Sequence, residues 1–113
     1  MRGGARTMDI TTTESLPGRR ITAVKGVAVG STVRTKNIGK DIGAGLKSLI
    51  GGELKSYSAM LVEARSEALS RMEAQATELG ADAAVNLRFM TSAVASGASE
   101  ILAYATAVTT EPV

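Results

Sequence analysis

From Leu54 to Leu79 neither Gly nor Pro interrupts the chain, and apolar residues recur with a helical period. Tyr57, Leu61, Ala64, Ala68, Met72, Ala76 and Leu79 stand three or four positions apart, so they share one face of an α-helix. Gly80 follows at once, a residue suited to closing a helix. Glu67 and Arg71 are four apart and can pair on the exposed side of this helix. The rest of the chain must supply the surface on which that apolar stripe packs.

The flanking segments read as strands. A first short one is expected from Thr7 to Thr13, where threonines favour extended backbone, and Pro17-Gly18 then marks a turn. Ile21 to Val33 is rich in β-branched residues and reads as one long, bent strand whose ends are free to pair with different neighbours. Gly26 and Gly30 within it suggest a bulge, a bend or a close backbone approach. Asn37 is a good N-cap for a short helix carrying Ile38, Ile42, Leu46 and Leu49 on one face. Gly39, Gly43 and Gly45 weaken that helix, and Gly51-Gly52 ends it.

After the long helix, Asp82 opens a third strand in which Val85, Leu87 and Phe89 alternate with Asn86, Arg88 and Met90. Ser92 to Ser99 reads as a loop of small residues. In the fourth strand, from Glu100 to Thr110, Ile101, Ala103, Ala105 and Ala107 take one face and Leu102, Tyr104, Thr106 and Val108 the other. The alanine face suits a closely packed helix. The last two strands should form an antiparallel hairpin. The chain therefore reads as α+β: a two-layer sandwich of an antiparallel sheet, one long helix and a short preceding helix. Residues 1–6, rich in Gly and Arg, are expected to be a disordered tail, and 7–113 a single domain.

Composition narrows the chemistry. The 113 residues include no Cys and no His. Disulfides, thiolate or imidazole zinc sites, and Ser-His-Asp or Cys-His nucleophiles are thereby excluded. Eighteen residues are Ala and only 3% are aromatic. An alanine core buries little apolar area, so self-assembly is expected. The net charge of +2 is divided: the first 55 residues carry six more cations than anions, the remainder four more anions than cations. Complementary faces meeting in an oligomer account for both halves. Nucleic acid is disfavoured because aromatic stacking platforms are scarce. No stretch has the length and apolarity of a membrane span, and no apolar segment follows the basic N-terminus as in a signal peptide, so a cytoplasmic location is expected.

Several motifs coincide from Gly26 onward: Gly26-Val27-Ala28-Val29-Gly30, then Asn37-Ile38 with Asp41-Ile42, then Leu49-Ile50-Gly51-Gly52 followed by Tyr57. Ala64-Arg65 and Leu79-Gly80-Ala81-Asp82-Ala83 complete the order. This run, covering about Ile10 to Val108, resembles the YbjQ-like family, customarily described as a heavy-metal-binding domain. The resemblance implies a dodecin-like β-α-β-β subunit assembled as a ring-shaped pentamer, with self as partner and no established activity. Asn37, Gly51, Gly52, Tyr57 and Arg65 become candidates for an oligomer interface or ligand contact. The sequence departs from the family where Ser58 and Met60 replace acidic positions after Tyr57. Without His or Cys, any metal would rest on carboxylates and carbonyls, donors suited to Mg²⁺ or Ca²⁺.

The other motifs have plain structural explanations. Gly39 to Ser48 fails the phosphate-loop pattern, since Leu46 stands where Gly must precede Lys47-Ser48. Glu63, Glu67, Glu73 and Glu78 read as a solvated helix face. Asp82 reads as a turn residue, and Arg65 as the partner of an acidic group in its own or a neighbouring chain. Lys25, Arg34, Lys36, Lys40 and Lys47 read as a basic face complementing the acidic helix of another subunit. No catalytic residue, cofactor site or metal site is expected, and an enzyme has no supporting constellation.

Overall fold

The computed structural model describes residues 8–35 and 52–113. Its elements run β1 (Asp9–Ile10), β2 (Arg19–Thr35), α1 (Gly52–Glu78), β3 (Ala83–Ala95) and β4 (Ala98–Pro112). The strands form one sheet in the order β1-β3-β4-β2, and α1 lies across one face of it. The chain is α+β, as expected. The sheet is mixed rather than antiparallel, because β1 runs parallel to β3, with Asp9 opposite Ala83 and Ile10 opposite Ala84. The long route through β2 and α1 returns the chain running in the direction of β1, which local patterning does not reveal. The expected short helix from Asn37 to Leu49 and the tail at 1–6 lie outside the described residues.

α1 carries the expected stripe inward. Ala64, Ala68, Met72 and Ala76 are buried, with Leu61 and Leu79 packed at the margin. Gly80 closes the helix at φ 88°, and its N–H donates to the Thr77 carbonyl at 3.0 Å. The helix-facing side of β4 is Ile101, Ala103, Ala105 and Ala107, all buried against that stripe. Small side chains on both layers draw them together, and Gly30 of β2 takes the closest approach. A Cβ there would lie within 3.0 Å of the Met72 amide nitrogen, the Ala68 carbonyl oxygen and the Arg71 carbonyl carbon. Only hydrogen fits that space.

β2 begins two residues earlier than expected and pairs with β4 along its whole length; its ends do not diverge to different neighbours. Register shifts between Ile21 and Ala23 and between Val24 and Gly26 supply the expected bulging. The first strand is shorter than Thr7–Thr13. Its threonines leave the strand and cap the sheet edge instead: Thr11 donates to Ala84 and accepts from Leu87, and Thr13 accepts from Asn86.

Two expectations for β3 are overturned. Val85 and Leu87 do not share a face, because Asn86 adopts φ 57° within a bulge between Val85 and Arg88. Leu87 joins the core under α1, whereas Val85 packs with Ala83, Val108 and Leu16 on the opposite side. Asn tolerates this left-handed conformation better than most residues, so an extra residue is accommodated there. The segment Ser92–Ser99 is not a loop. β3 and β4 continue through it and meet at Ser96-Gly97, where Gly97 at φ 75° makes the tight reversal.

Candidate functional site

The charged residues that the fold brings together lie where β2 meets α1. Ala28, Gly30, Thr32 and Arg34 point toward the helix by strand alternation, and Thr32 is the buried polar residue of this layer. Arg34 donates through Nη2 to Glu67 Oε1 at 2.5 Å and through Nη1 to Thr32 Oγ1 at 3.0 Å. Arg71, one turn on, donates through Nη2 to Glu67 Oε2 at 2.6 Å. Its Nη1 reaches the Ser31 carbonyl at 2.6 Å. Gln75 Oε1 accepts from the Val29 amide at 2.5 Å.

Each carboxylate oxygen of Glu67 thus receives a guanidinium. The hydrogen bond from Arg34 holds the Glu67 carboxyl below the usual carboxylate range. Partial burial pushes the other way, and the charge of Arg71 adds to the lowering. Gln75 and Arg71 also satisfy outward-pointing backbone groups of β2. Together they clamp strand to helix, Gln75 as acceptor and Arg71 as donor.

The expected pairing of Glu67 with Arg71 is present. Arg34 is the partner that linear reading misplaces: the sequence puts it on a basic face complementing the acidic helix of another subunit, whereas the docking of β2 against α1 sets it beside Glu67 of its own chain. The acidic face is accordingly not uniformly solvated. At the far end of the sheet, Asp82 accepts from the Thr110 amide at 3.2 Å and from its hydroxyl at 3.0 Å, the turn-anchoring role expected of it. Arg19 donates to that same hydroxyl, and Arg20 pairs with Glu111.

A folded-state carboxyl held below its ordinary value stabilises the fold above that value, and the contribution disappears as pH falls through the lowered one. Glu67→Gln is therefore expected to lower the urea midpoint at pH 7 and to flatten its fall below pH 4.5. Chemical denaturation of both proteins at one fixed concentration, stepped in pH, checks this. Equal acid sensitivity in the two proteins would remove Glu67 as the titrating group.

Of the five candidate residues, Asn37 and Gly51 lie outside the described residues. Gly52 is the first residue of α1, and the short helix it was expected to follow lies outside the described residues. Tyr57 is half-buried on α1, and Arg65 is exposed, with no ion pair among the described residues. Neither joins the Arg34–Glu67–Arg71 clamp. On the outer side of α1, a wide, shallow depression is lined by Ala59, Met60, Val62, Glu63 and Ser66. Among the described residues, no three Asp or Glu side chains converge as a metal site. No described helix is long and apolar enough to cross a membrane.

A protein-family model described as "Putative heavy-metal-binding", that of the YbjQ family, matches residues 8–111. A UPF0145 protein of Methanoculleus marisnigri is 57% identical over 105 residues, covering 93% of this chain and 98% of the relative. One from Archaeoglobus fulgidus is 57% identical over 99 residues, covering 88% and 92%. One from Vibrio campbellii is 52% identical over 101 residues, covering 89% and 97%. The fold is similar to the crystal structure of a protein with unknown function, of the DUF74 family, from Pediococcus pentosaceus. That match has a TM-score of 0.64 at 18% identity and covers 94% of this chain and 100% of the other. At that identity the likeness bears on the fold alone. A family match spanning residues 8–111, with archaeal and bacterial relatives more than half identical along nearly the whole chain, makes this protein a member of the YbjQ family.

Proposed function

We propose that this protein is a binding or scaffold module without catalytic activity that works as a homo-oligomer in the cytoplasm, assembled as the ring-shaped pentamer its family resemblance implies. The observation that carries the reading is the direction of the β2 valines. Val24, Val27, Val29 and Val33 point away from α1, and Val27 remains 65% exposed. Their neighbours on β4 are half-buried Leu102, Tyr104 and Thr106, with exposed Met90 beyond them on β3. An apolar sheet face of this extent is the signature of an interaction surface. The alanine core beneath the opposite face supplies little burial by itself. The division of charge between the two halves of the chain favours a copy of the same chain as partner.

Native mass spectrometry on freshly purified protein tests this reading. The expected result is a defined homo-oligomer, and a stable monomer at micromolar concentration would overturn it. A second reading takes the family description at its word: metal ions or small anions held at subunit interfaces, with exposed Arg65 available for an anion. Carboxylate and carbonyl donors would then select hard cations. Equilibrium dialysis with elemental analysis decides it, since stoichiometric Mg²⁺ or Ca²⁺ is expected and its absence removes the metal form.

A further inference from the structure

Among the described arginines, Arg20 pairs with Glu111, Arg34 and Arg71 pair with Glu67, and Arg19 donates to the Thr110 hydroxyl. Arg88 has no acidic partner among the described residues, yet its guanidinium is held in place. Its Nη1 donates to the Leu87 carbonyl at 2.7 Å and to the Thr12 carbonyl at 3.1 Å. Nε and Nη2 have no bond among the described residues. The bulge at Asn86 puts this side chain where it is. Val85 packs on the face away from α1, Leu87 turns under the helix, and Arg88 comes out opposite Tyr104. Strict alternation from Val85 would have turned Leu87 out and Arg88 in. Bulges and left-handed non-glycine residues recur where a side chain is re-aimed for a task.

The surroundings of Arg88 on this face are apolar. Tyr104, opposite it on β4, is half-buried, and its hydroxyl has no hydrogen bond among the described residues. Val29 flanks Tyr104 from β2, and one step toward the hairpin end Leu102 stands beside Met90. Val29 is 39% exposed and Met90 53%. On the opposite side of Arg88, the segment between β1 and β2 comes over the sheet. Its Leu16 packs on Ala83, Val85 and Val108, and its Thr12 carbonyl is the one that Arg88 holds. The guanidinium lies at the foot of this wall, with an apolar floor leading away from it.

We propose that Arg88 and Tyr104 bind the carboxylate of an amphiphile whose alkyl chain lies along Val29, Leu102 and Met90, an assignment that rests on the binding-module reading above. The open Nε–Nη2 edge of Arg88 presents two parallel donors, the geometry that takes both oxygens of a carboxylate at once. The Tyr104 hydroxyl is a further donor beside it. A guanidinium among apolar side chains is less screened than one in bulk water, which strengthens the pair. A dianionic phosphate fits less well, because no second cation stands on this floor. Glu100 bounds the far end: alternation places it on the face of Leu102 and Tyr104. Four residues of extended strand span about 13 Å, so the floor suits an alkyl chain of medium length. The outer β2 valines, Val24, Val27 and Val33, are left to a second copy.

Calorimetric titration of octanoate into the full-length wild-type protein tests this assignment, with saturation at one equivalent per chain expected. Octan-1-ol keeps the alkyl body without the charge, and acetate keeps the charge without the body. Each is expected to bind at least about tenfold more weakly than octanoate. Tyr104→Phe removes an unbonded hydroxyl and is expected to weaken octanoate about threefold with the urea midpoint unchanged. Arg88→Gln is expected to weaken it at least about tenfold. Because Arg88 also holds Thr12, circular dichroism accompanies that variant; should it fail to fold, Tyr104→Phe and the three ligands decide. No saturable octanoate binding to the wild type overturns the assignment, and so does undiminished binding by a folded Arg88→Gln protein. Equal affinity for octanoate and octan-1-ol overturns it too, since the carboxylate then makes no contact. Any of these results leaves self-assembly standing, which the native mass spectrum reads separately, and gives the whole face to a second copy where an oligomer is found.

Discussion

Gly30→Ala is expected to destabilise the protein by about 3 kcal/mol or more, at the upper end of overpacking costs. The added methyl would meet backbone atoms of Ala68, Arg71 and Met72 closer than 3.0 Å, and no rotamer change relieves a clash with backbone. α1 would have to lift from β2. That movement would lengthen the Val29–Gln75 and Ser31–Arg71 bonds and spread the clamp around Glu67. Gly18→Ala supplies the comparison. Gly18 has φ +77° and open space around its position, so only the left-handed backbone penalty of about 1 kcal/mol applies. Urea denaturation at a fixed protein concentration measures both. Equal, small losses would show that β2 and α1 are not in the contact described.

Met72→Ala is expected to cost about 3 kcal/mol or more, through lost apolar transfer plus the cavity left behind. Met72 is among the largest fully buried side chains, and it sits among Ala28, Ala68, Ala76, Ala103 and Ala105. Alanine has no side-chain torsion with which to swing into a hole, so the cavity cannot close by repacking. Met72→Leu, close in volume, is expected to lose less than about 1.5 kcal/mol. The same denaturation experiment checks the pair, and a loss near 1 kcal/mol for Met72→Ala would show that the layers can collapse together after all.

These two positions illustrate how much of the molecule is legible without coordinates. Met72 follows from spacing, because the residues that define a helical stripe are within four positions of one another. Gly30 is readable as a close approach, though not as an approach to Ala68 and Met72 in particular. The alanine face of β4 is likewise local, a period of two that any extended chain must obey. Asn86 defeats the same rule one strand earlier: a single left-handed residue reverses every face after it, and nothing in the alternation of Val85, Leu87 and Phe89 announces it. The extent of the β3–β4 hairpin was also hidden. Small residues such as Ser92 to Ser99 carry little strand preference, and their pairing is imposed by the length of the partner. Arg34 could be seen as a cation but not as the ligand of Glu67, since 33 positions separate them.

The residue order by itself determined the elements whose causes are local: the helix with its Gly80 stop, the Glu67–Arg71 pair and the buried alanine face. It also established family membership, which rests on the order of residues. Only the tertiary structure decided the parallel pairing of β1 with β3, the bulge at Asn86 and the Arg34–Glu67 contact. It alone decided, too, that the β2 valines face away from the helix. Each of these depends on segments far apart in the chain meeting in one register. The free energy that selects the register comes from backbone pairing and close layer contact, neither of which a periodicity contains.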